Sequence, residues 1–262
     1  MFLCLQCTLY ADGFSIRAKA VRTGDVVSVK VQIKNPMIDE DTALRKKIEP
    51  DYISHVTAIA DNQVILNLAT GGYLNKNPYF KFKYKEDSNN DVIDFIVTKS
   101  NGTQLRKSFQ IVEKGERSKA IPKLEKGFLK LMGEPSSQKL WKTETTKEAI
   151  RALYGSVVPK KAQMKVTLPS VVANYNAIPI TIQPLQDFES FAIFIDKNPR
   201  AAVAVISHPK RGIIEYMFKL KMVIDMRNYY ERPYTMTIVA KGRDGNFYQL
   251  EDTLNVAVSF DE

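Results

Sequence analysis

The sequence predicts an all-β protein: two immunoglobulin-like β-sandwich domains joined by a partly helical connector. Three observations carry that prediction. Short segments of strict apolar–polar alternation fill residues 14–113 and resume from 155 to 262, and a period of two sends alternate side chains to opposite faces of a strand. Turn residues punctuate them at the spacing of a sandwich, with seven or so short strands in about 100 residues. Between the two stretches, residues 114–154 drop the alternation and take up helical spacing.

In the first half, Ile16, Ala18 and Ala20 alternate with Arg17 and Lys19, and after a Thr23-Gly24-Asp25 turn Val27, Val29, Val31 and Ile33 share one face. Asn35-Pro36 ends that strand, because proline has no N–H to continue the ladder. Residues 38–50 are expected to be a charged loop. Strands are expected at 54–60, 63–69, 92–99 and 104–112, and in the stretch 68–85, LATGGYLNKNPYFKFKYK. There Phe80, Phe82 and Tyr84 alternate with Lys81, Lys83 and Lys85; a slip of one residue would bury three ammonium groups, so the register is firmly specified. Asn101-Gly102 is read as a two-residue hairpin turn, both of whose positions favour φ > 0.

The region 114–154 holds ten Lys and Arg against five Glu, so +5 of the net charge of +9 lies there. Leu124, Phe128 and Leu131 follow helical spacing, and Thr145-x-x-Glu148 is a capping box opening a second helix that Gly155 stops. Strands are then expected at 163–168, 177–182, 188–195, 201–207, 214–225, 234–241, 247–251 and 255–260. Asp244-Gly245 matches the Asn101-Gly102 hairpin, and Lys197-Asn198-Pro199 echoes Lys76-Asn77-Pro78. These echoes are read as a structural repeat of two. The domain boundaries are therefore 1–13, a terminal segment; 14–113, a sandwich; 114–154, the connector; and 155–262, a second sandwich.

At 262 residues, 44% hydrophobic and 26% charged, the chain is ordinary globular material with room for two domains. No apolar run approaches the roughly 20 residues of a membrane helix. Its basic charge invites a nucleic-acid reading, but the rings and lysines of 80–85 face opposite ways and cannot interleave on one surface. Lysines on exposed strands are read instead as a guard against edge-to-edge pairing. No phosphate-binding loop, HExxH or GxSxG motif occurs, and the acidic groups Asp39-Glu40-Asp41 and Asp196 with Glu189 are read as solvated. The two histidines, His55 and His208, lie in separate halves; they are too few for an iron site of the superoxide-reductase type. His208, before Pro209, is read as a solvated loop residue, and His55 as a packing or edge residue. The chain is expected not to be an enzyme and to use no cofactor, metal, nucleic acid or membrane.

Cys4 and Cys7 are the only cysteines. A CxxC pair in redox or zinc service needs a helix N-terminus or further ligands, neither of which the sequence offers. The apolar segment 1–11 reads as the back half of a secretory signal cut after Ala11, as a start codon placed too late would leave it; the other reading is a first strand. The secretory reading implies a periplasmic protein.

Residues 14–112 resemble SoxZ through Ile33-Lys-Asn35-Pro36-Met37, Leu44-Arg-Lys46, Ile48-Glu-Pro-Asp-Tyr-Ile53 and Gly72-Tyr-Leu-Asn-Lys-Asn77-Pro78-Tyr-Phe80. Residues from about 138 to 260 resemble SoxY through Glu148–Gly155, Leu168–Asn174, Ile178-Pro-Ile180, Asp196-Lys-Asn198-Pro199 and Lys241-Gly-Arg-Asp244-Gly245-Asn-Phe-Tyr248. The resemblance implies a fused pair of subunits of the sulfur-carrier complex for thiosulfate oxidation. Its two domains would pair with each other, and its partners would be other periplasmic Sox-type proteins or sulfur-oxidation enzymes. SoxY proteins carry substrate on a cysteine in a glycine-flanked C-terminal arm. Residues 254–262 hold neither cysteine nor glycine, which points to a binding or scaffold role. The alternatives are a true covalent carrier whose arm lies outside this sequence, and an accessory protein of another periplasmic dehydrogenase system.

Overall fold

A computed structural model describes residues 14–86, 91–116, 138–208, 213–223 and 233–255. The first half contains β1 (Ser15–Thr23), β2 (Val26–Lys34), helix α1 (Glu40–Lys46), β3 (Ile53–Ala60), β4 (Gln63–Thr70), β5 (Tyr79–Lys85), β6 (Val92–Lys99) and β7 (Gln104–Glu113). A 3-10 turn at Leu140–Lys142 and helix α2 (Thr146–Tyr154) follow. The second half contains β8 (Lys160–Lys161), β9 (Met164–Thr167), β10 (Ile178–Pro184), β11 (Phe188–Ile195), β12 (Ala202–Ser207), β13 (Ile213–Leu220), β14 (Tyr234–Gly242) and β15 (Phe247–Leu254). Cys4, Cys7, the helical spacing of Leu124, Phe128 and Leu131, and residues 256–260 of the last expected strand lie outside the described residues.

Both halves are immunoglobulin-like, and each places equivalent strands in equivalent sheets. One layer runs β1-β2-β5-β13-β10-β9, the other β7-β6-β3-β4-β12-β11-β14-β15-β8. Strand by strand, β2 to β7 correspond to β10 to β15. At the seam each strand meets its own counterpart antiparallel: β4 pairs β12, with Leu68 opposite Ile206, and β5 pairs β13, with Phe82 opposite Tyr216. A strand paired antiparallel with its own equivalent is the geometry of a two-fold, isologous interface, here folded into a single chain. The edges of β4 and β5 are closed by hydrogen bonds, so neither is left as a template for aggregation.

Alternation is realised as expected along β5: Phe80, Phe82 and Tyr84 are each 1% exposed, while Lys81 and Lys83 point outward. One core cluster runs through both halves, from Val29 and Phe82 to Ile180 and Ile238. Phe191 and Tyr216 bridge the two layers edge-to-face with centroids 4.8 Å apart. Because β5 is paired on both sides, by β2 and β13, its lysines guard no edge.

Several expectations are corrected. The segment read as a charged loop holds α1, whose N-cap Asp39 accepts a bond from the Thr42 N–H. Only Ala43 is buried in it, so no apolar period marked the helix. The two hairpins have three-residue rather than two-residue loops: Gly102 N–H donates to the Lys99 carbonyl and Gly245 N–H to the Gly242 carbonyl. Only the glycines, φ 83° and 81°, take positive φ there. The two match in detail, since Asn101 Oδ1 and Asp244 Oδ1 each accept from the backbone N–H two residues on, at 3.0 Å. The Lys-Asn-Pro echo is not part of the repeat. Lys76–Pro78 lies between β4 and β5, whereas Lys197–Pro199 lies between β11 and β12, where the first half has the Asp61-Asn62 turn.

Helix α2 forms where the capping box predicts it, with Thr145 Oγ1 accepting from Glu148 N–H and Glu148 Oε2 from Thr145 N–H. It covers part of the outer face of the second layer, where Ala149 and Leu140 join Phe194, Val205 and Val239 in a separate small core. His208 is not solvated. It is 2% exposed, with Nδ1 2.7 Å from the Tyr216 hydroxyl. Its burial, and then the Arg243 charge, push its pKa down to about 4.

Candidate functional site: the polar seam between the halves

At one end of the seam the stretch that follows β4 is pressed between the halves. A Cβ on Gly71 would lie 2.7 Å from Cε3 of Trp141, and one on Gly72, at φ 92°, would lie 2.9 Å from Cβ of Asp39. Two glycines are therefore what let the connector and the start of α1 close on this turn. Beyond them Tyr73 O accepts from Lys221 N–H, Asn75 N–H donates to Lys219 O, and Leu74 bridges to Leu220.

Side chains complete the seam. Lys221 Nζ reaches from the end of β13 to Asp39 Oδ2 at 2.6 Å and to Met37 O at 3.4 Å. Burial of Asp39 raises its pKa, but the Lys221 ammonium and the bonds from Thr42 together hold it below the ordinary value. Arg200 links three parts of the chain: Nη2 to Asp41 Oδ1 at 3.2 Å, and Nη1 to Glu144 Oε1 and Lys142 O. The Tyr73 hydroxyl donates to Asp41 Oδ2, and its pKa is pushed up by burial and by Asp39 and Asp41. The Asp39-Glu40-Asp41 group read as solvated thus supplies two of the seam's anions, with Asp39 only 1% exposed.

The sequence-predicted signature residues divide into three clusters. Asn35 and Asn77 bind each other reciprocally, Asn35 N–H to Asn77 Oδ1 and Asn77 N–H to Asn35 O. Asn35 also takes the Met37 N–H on Oδ1 and donates Nδ2 to Asp51, which is paired with buried Lys99 at 2.9 Å. Pro78 O accepts from Ile33 N–H, and Met37 and Asn77 hold left-handed φ of 54° and 53°. Together with Pro36 these residues knot the β2 exit to the β5 entry, beside the seam. Asn198 sits apart: its Oδ1 accepts from Val223 N–H, and Pro199 leads to Arg200. Asp244 and Gly245 are remote, in the last hairpin, where Tyr248 and Asn246 hold the Asp244 pKa down to about 2.

Sequence reasoning missed Tyr73, Trp141, Arg200 and Lys221. All lie outside the strands, in the 3-10 turn or in links between elements, where period-two patterning is silent; only Gly71 and Gly72 hinted at close packing. Among the described residues no group of three or more His, Cys, Asp or Glu lies together as a metal would require. No helix among them is long and apolar enough to cross a membrane. The seam holds its charges in pairs around a cavity of only about 10 Å³, so it joins surfaces and offers no room for a substrate.

The family model for SoxZ, the sulphur oxidation protein SoxZ, matches residues 16–110, from within β1 to within β7. The first sandwich is thus similar to SoxZ. Among curated proteins none matches the chain. Among solved structures, the sulfur carrier protein SoxY from Chlorobium limicola f thiosulfatophilum is 16% identical, covering 43% of this chain and 96% of that one, with a TM-score of 0.33. Superoxide reductase (neelaredoxin) from Ignicoccus hospitalis is 11% identical, covering 36% of this chain and 80% of that one, with a TM-score of 0.26. Likeness at that level places no function on this chain. The SoxZ match speaks for the first sandwich alone.

Proposed function

We propose that this protein is a fused SoxZ–SoxY-like module of a periplasmic sulfur-oxidation system, serving as a binding and scaffold unit rather than as a covalent sulfur carrier. One observation carries the reading. The SoxZ match covers the first sandwich, and that sandwich's two free strand edges, β4 and β5, are occupied by a second sandwich of the same plan. Fusion makes the pairing intramolecular, at an effective concentration on the order of millimolar or above. A thiolate is the nucleophile that a covalent carrier needs, and the described residues contain no cysteine; Cys4 and Cys7 are the only two in the sequence.

The test is an intact mass of the full chain after incubation with thiosulfate and the Sox enzymes of its host. An unchanged mass, together with co-purification of those enzymes, is the expected result. A sulfur adduct would overturn the binding-only role in favour of a carrier, and Cys4→Ser with Cys7→Ser would show whether those thiols hold it. Capture of a different periplasmic dehydrogenase in place of Sox enzymes would favour an accessory role. Cell fractionation of the native host tests export.

A further inference from the structure

The outer face of the first layer carries a charge pattern that the pairing of the halves uses only at Lys81 and Lys83. Lys19 stands opposite Lys30 across β1–β2, and Lys30 opposite Lys81 across β2–β5. Three ammonium groups therefore form one cross-strand row, at a strand spacing of about 4.8 Å. Like charges directly opposite one another destabilise a sheet. Farther along the strands Arg17 and Lys34 line a groove of about 310 Å³, and Lys34 and Lys76 an adjoining one of about 430 Å³, whose one carboxylate, Asp51, is paired with Lys99 at 2.9 Å. The outward positions of β1, β2 and β5 include no carboxylate. The one carboxylate of β13, Glu215, is already held by Lys81, Lys83 and Gln183. Among the described residues, the side chains of Arg17, Lys19, Lys30, Lys34 and Lys76 make no hydrogen bond or ion pair.

We propose that this face of the first sandwich is a docking surface for an acidic protein segment, one presenting several carboxylates in an extended or helical row. The geometry selects that occupant over others. The cations are spread across three strands and two residue repeats, a span on the order of 10 Å or more, too wide for one oxyanion to bridge. The face is flat, and its rings Tyr79 and Phe14 already lie under Lys219 and Lys99, with Nζ 5.9 and 5.4 Å from their centroids. Bases therefore have no stacking platform of the kind single-stranded nucleic acid uses. Carboxylates arriving in a row relieve the Lys19–Lys30–Lys81 repulsion, and complementary charge speeds encounter as well as fixing orientation. Nothing in this charge distribution depends on which enzyme system the chain serves.

The full chain is titrated with a fluorescent oligoglutamate peptide, followed by anisotropy at several salt concentrations. Binding that weakens steadily with salt is expected, with a loss of about tenfold or more in Lys19→Glu/Lys30→Glu. Lys114→Glu/Lys161→Glu, which makes the same charge change at exposed positions elsewhere, should retain affinity within about twofold. Lys19→Gln/Lys30→Gln, which only neutralises, should fall between the two, and matching thermal unfolding curves confirm that each variant folds. Absent binding, or equal loss in both reversal variants, overturns the proposal. Tighter binding of an oligonucleotide of equal charge would make the face a nucleic-acid surface instead. Displacement of the peptide by sulfate or thiosulfate at constant ionic strength would reduce it to a small-anion site.

Discussion

The two halves share a strand plan yet finish differently at their outer ends, and the difference separates what builds the molecule from what it shows to others. In the first half β1 is one nine-residue strand that pairs β2 along its length and β7 through Ala20–Arg22, so the two layers are joined there. In the second half the corresponding work is divided between β8, only two residues long, and β9, and the layers stay apart. The second half instead gains α2 over its outer face and buries His208 under Tyr216. The first half keeps a bare, basic sheet face. What is common to both halves is the seam, where counterpart meets counterpart.

If the seam makes the halves one cooperative body, damage at its centre must unfold both. Phe82 is 1% exposed and stands opposite Tyr216. Phe82→Lys places an unpaired charge there, and a loss of about 4 kcal/mol or more is expected. Denaturant unfolding followed separately by Trp141 fluorescence and by circular dichroism should shift together; two separated transitions would show the halves to be independent.

The next largest effect concerns the seam's ion pair. Asp39 caps α1 and holds Lys221 at 2.6 Å, with the two side chains 2% and 15% exposed. Asp39→Ala removes the cap and strands the ammonium of the other half, at a cost of about 3 kcal/mol. Lys221→Met with Asp39→Ala should recover part of that cost, and a double-mutant cycle with no coupling between them would sever this link between the halves.

His208 distinguishes the second half by its response to acid. Its folded pKa, about 4, lies below the ordinary value of 6.5. Between those values the unfolded chain takes up a proton that the folded chain refuses. Stability is therefore intact above about pH 6.5 and falls as pH drops toward 4, by up to about 3 kcal/mol. His208→Asn should flatten this slope in urea unfolding across that window, and an unchanged slope would place the acid sensitivity elsewhere.

Much of the fold was legible in the sequence because a half-buried sheet writes its register into every second residue. Phe80, Phe82 and Tyr84 went inward as their alternation required, and Thr145 with Glu148 capped a helix. Asn101-Gly102 and Asp244-Gly245 marked equivalent hairpins, although their loops are one residue longer than the two-residue turn that the dipeptides suggest. The SoxZ-like character of the first half was legible through Asn35-Pro36-Met37 and Asn77-Pro78, which the structure ties into one knot. What could not be read were contacts between element ends. Nothing local to Arg200 announces Asp41, 159 residues away, and a histidine before a proline looks like loop until a tyrosine from another strand covers it. The Lys-Asn-Pro echo was a false sign of a true repeat, since sequence similarity and topological equivalence fell in different places.

The smallest effect tests the outer face. From alternation alone, Lys81→Glu would be an ordinary surface change, within about 0.5 kcal/mol. The structure makes it costlier, because Lys81 lies 3.2 Å from Glu215, whose side chain is 13% exposed and whose pKa is held down against its burial by Lys83, Gln183 and Lys81. Reversal there sets two carboxylates together across the seam, and a loss of about 1 kcal/mol is expected. Lys30→Glu, one strand over, should behave oppositely. It places a carboxylate between Lys19 and Lys81 in their cross-strand row, turning two repulsions into two attractions, and should leave stability unchanged or raise it by up to about 0.5 kcal/mol. Thermal melts at low and high salt would separate the two substitutions. If both destabilise alike, the register between β2, β5 and β13 is wrong. If they differ in sign, the lysine row is held against its own repulsion on a face that the fold does not need to be basic.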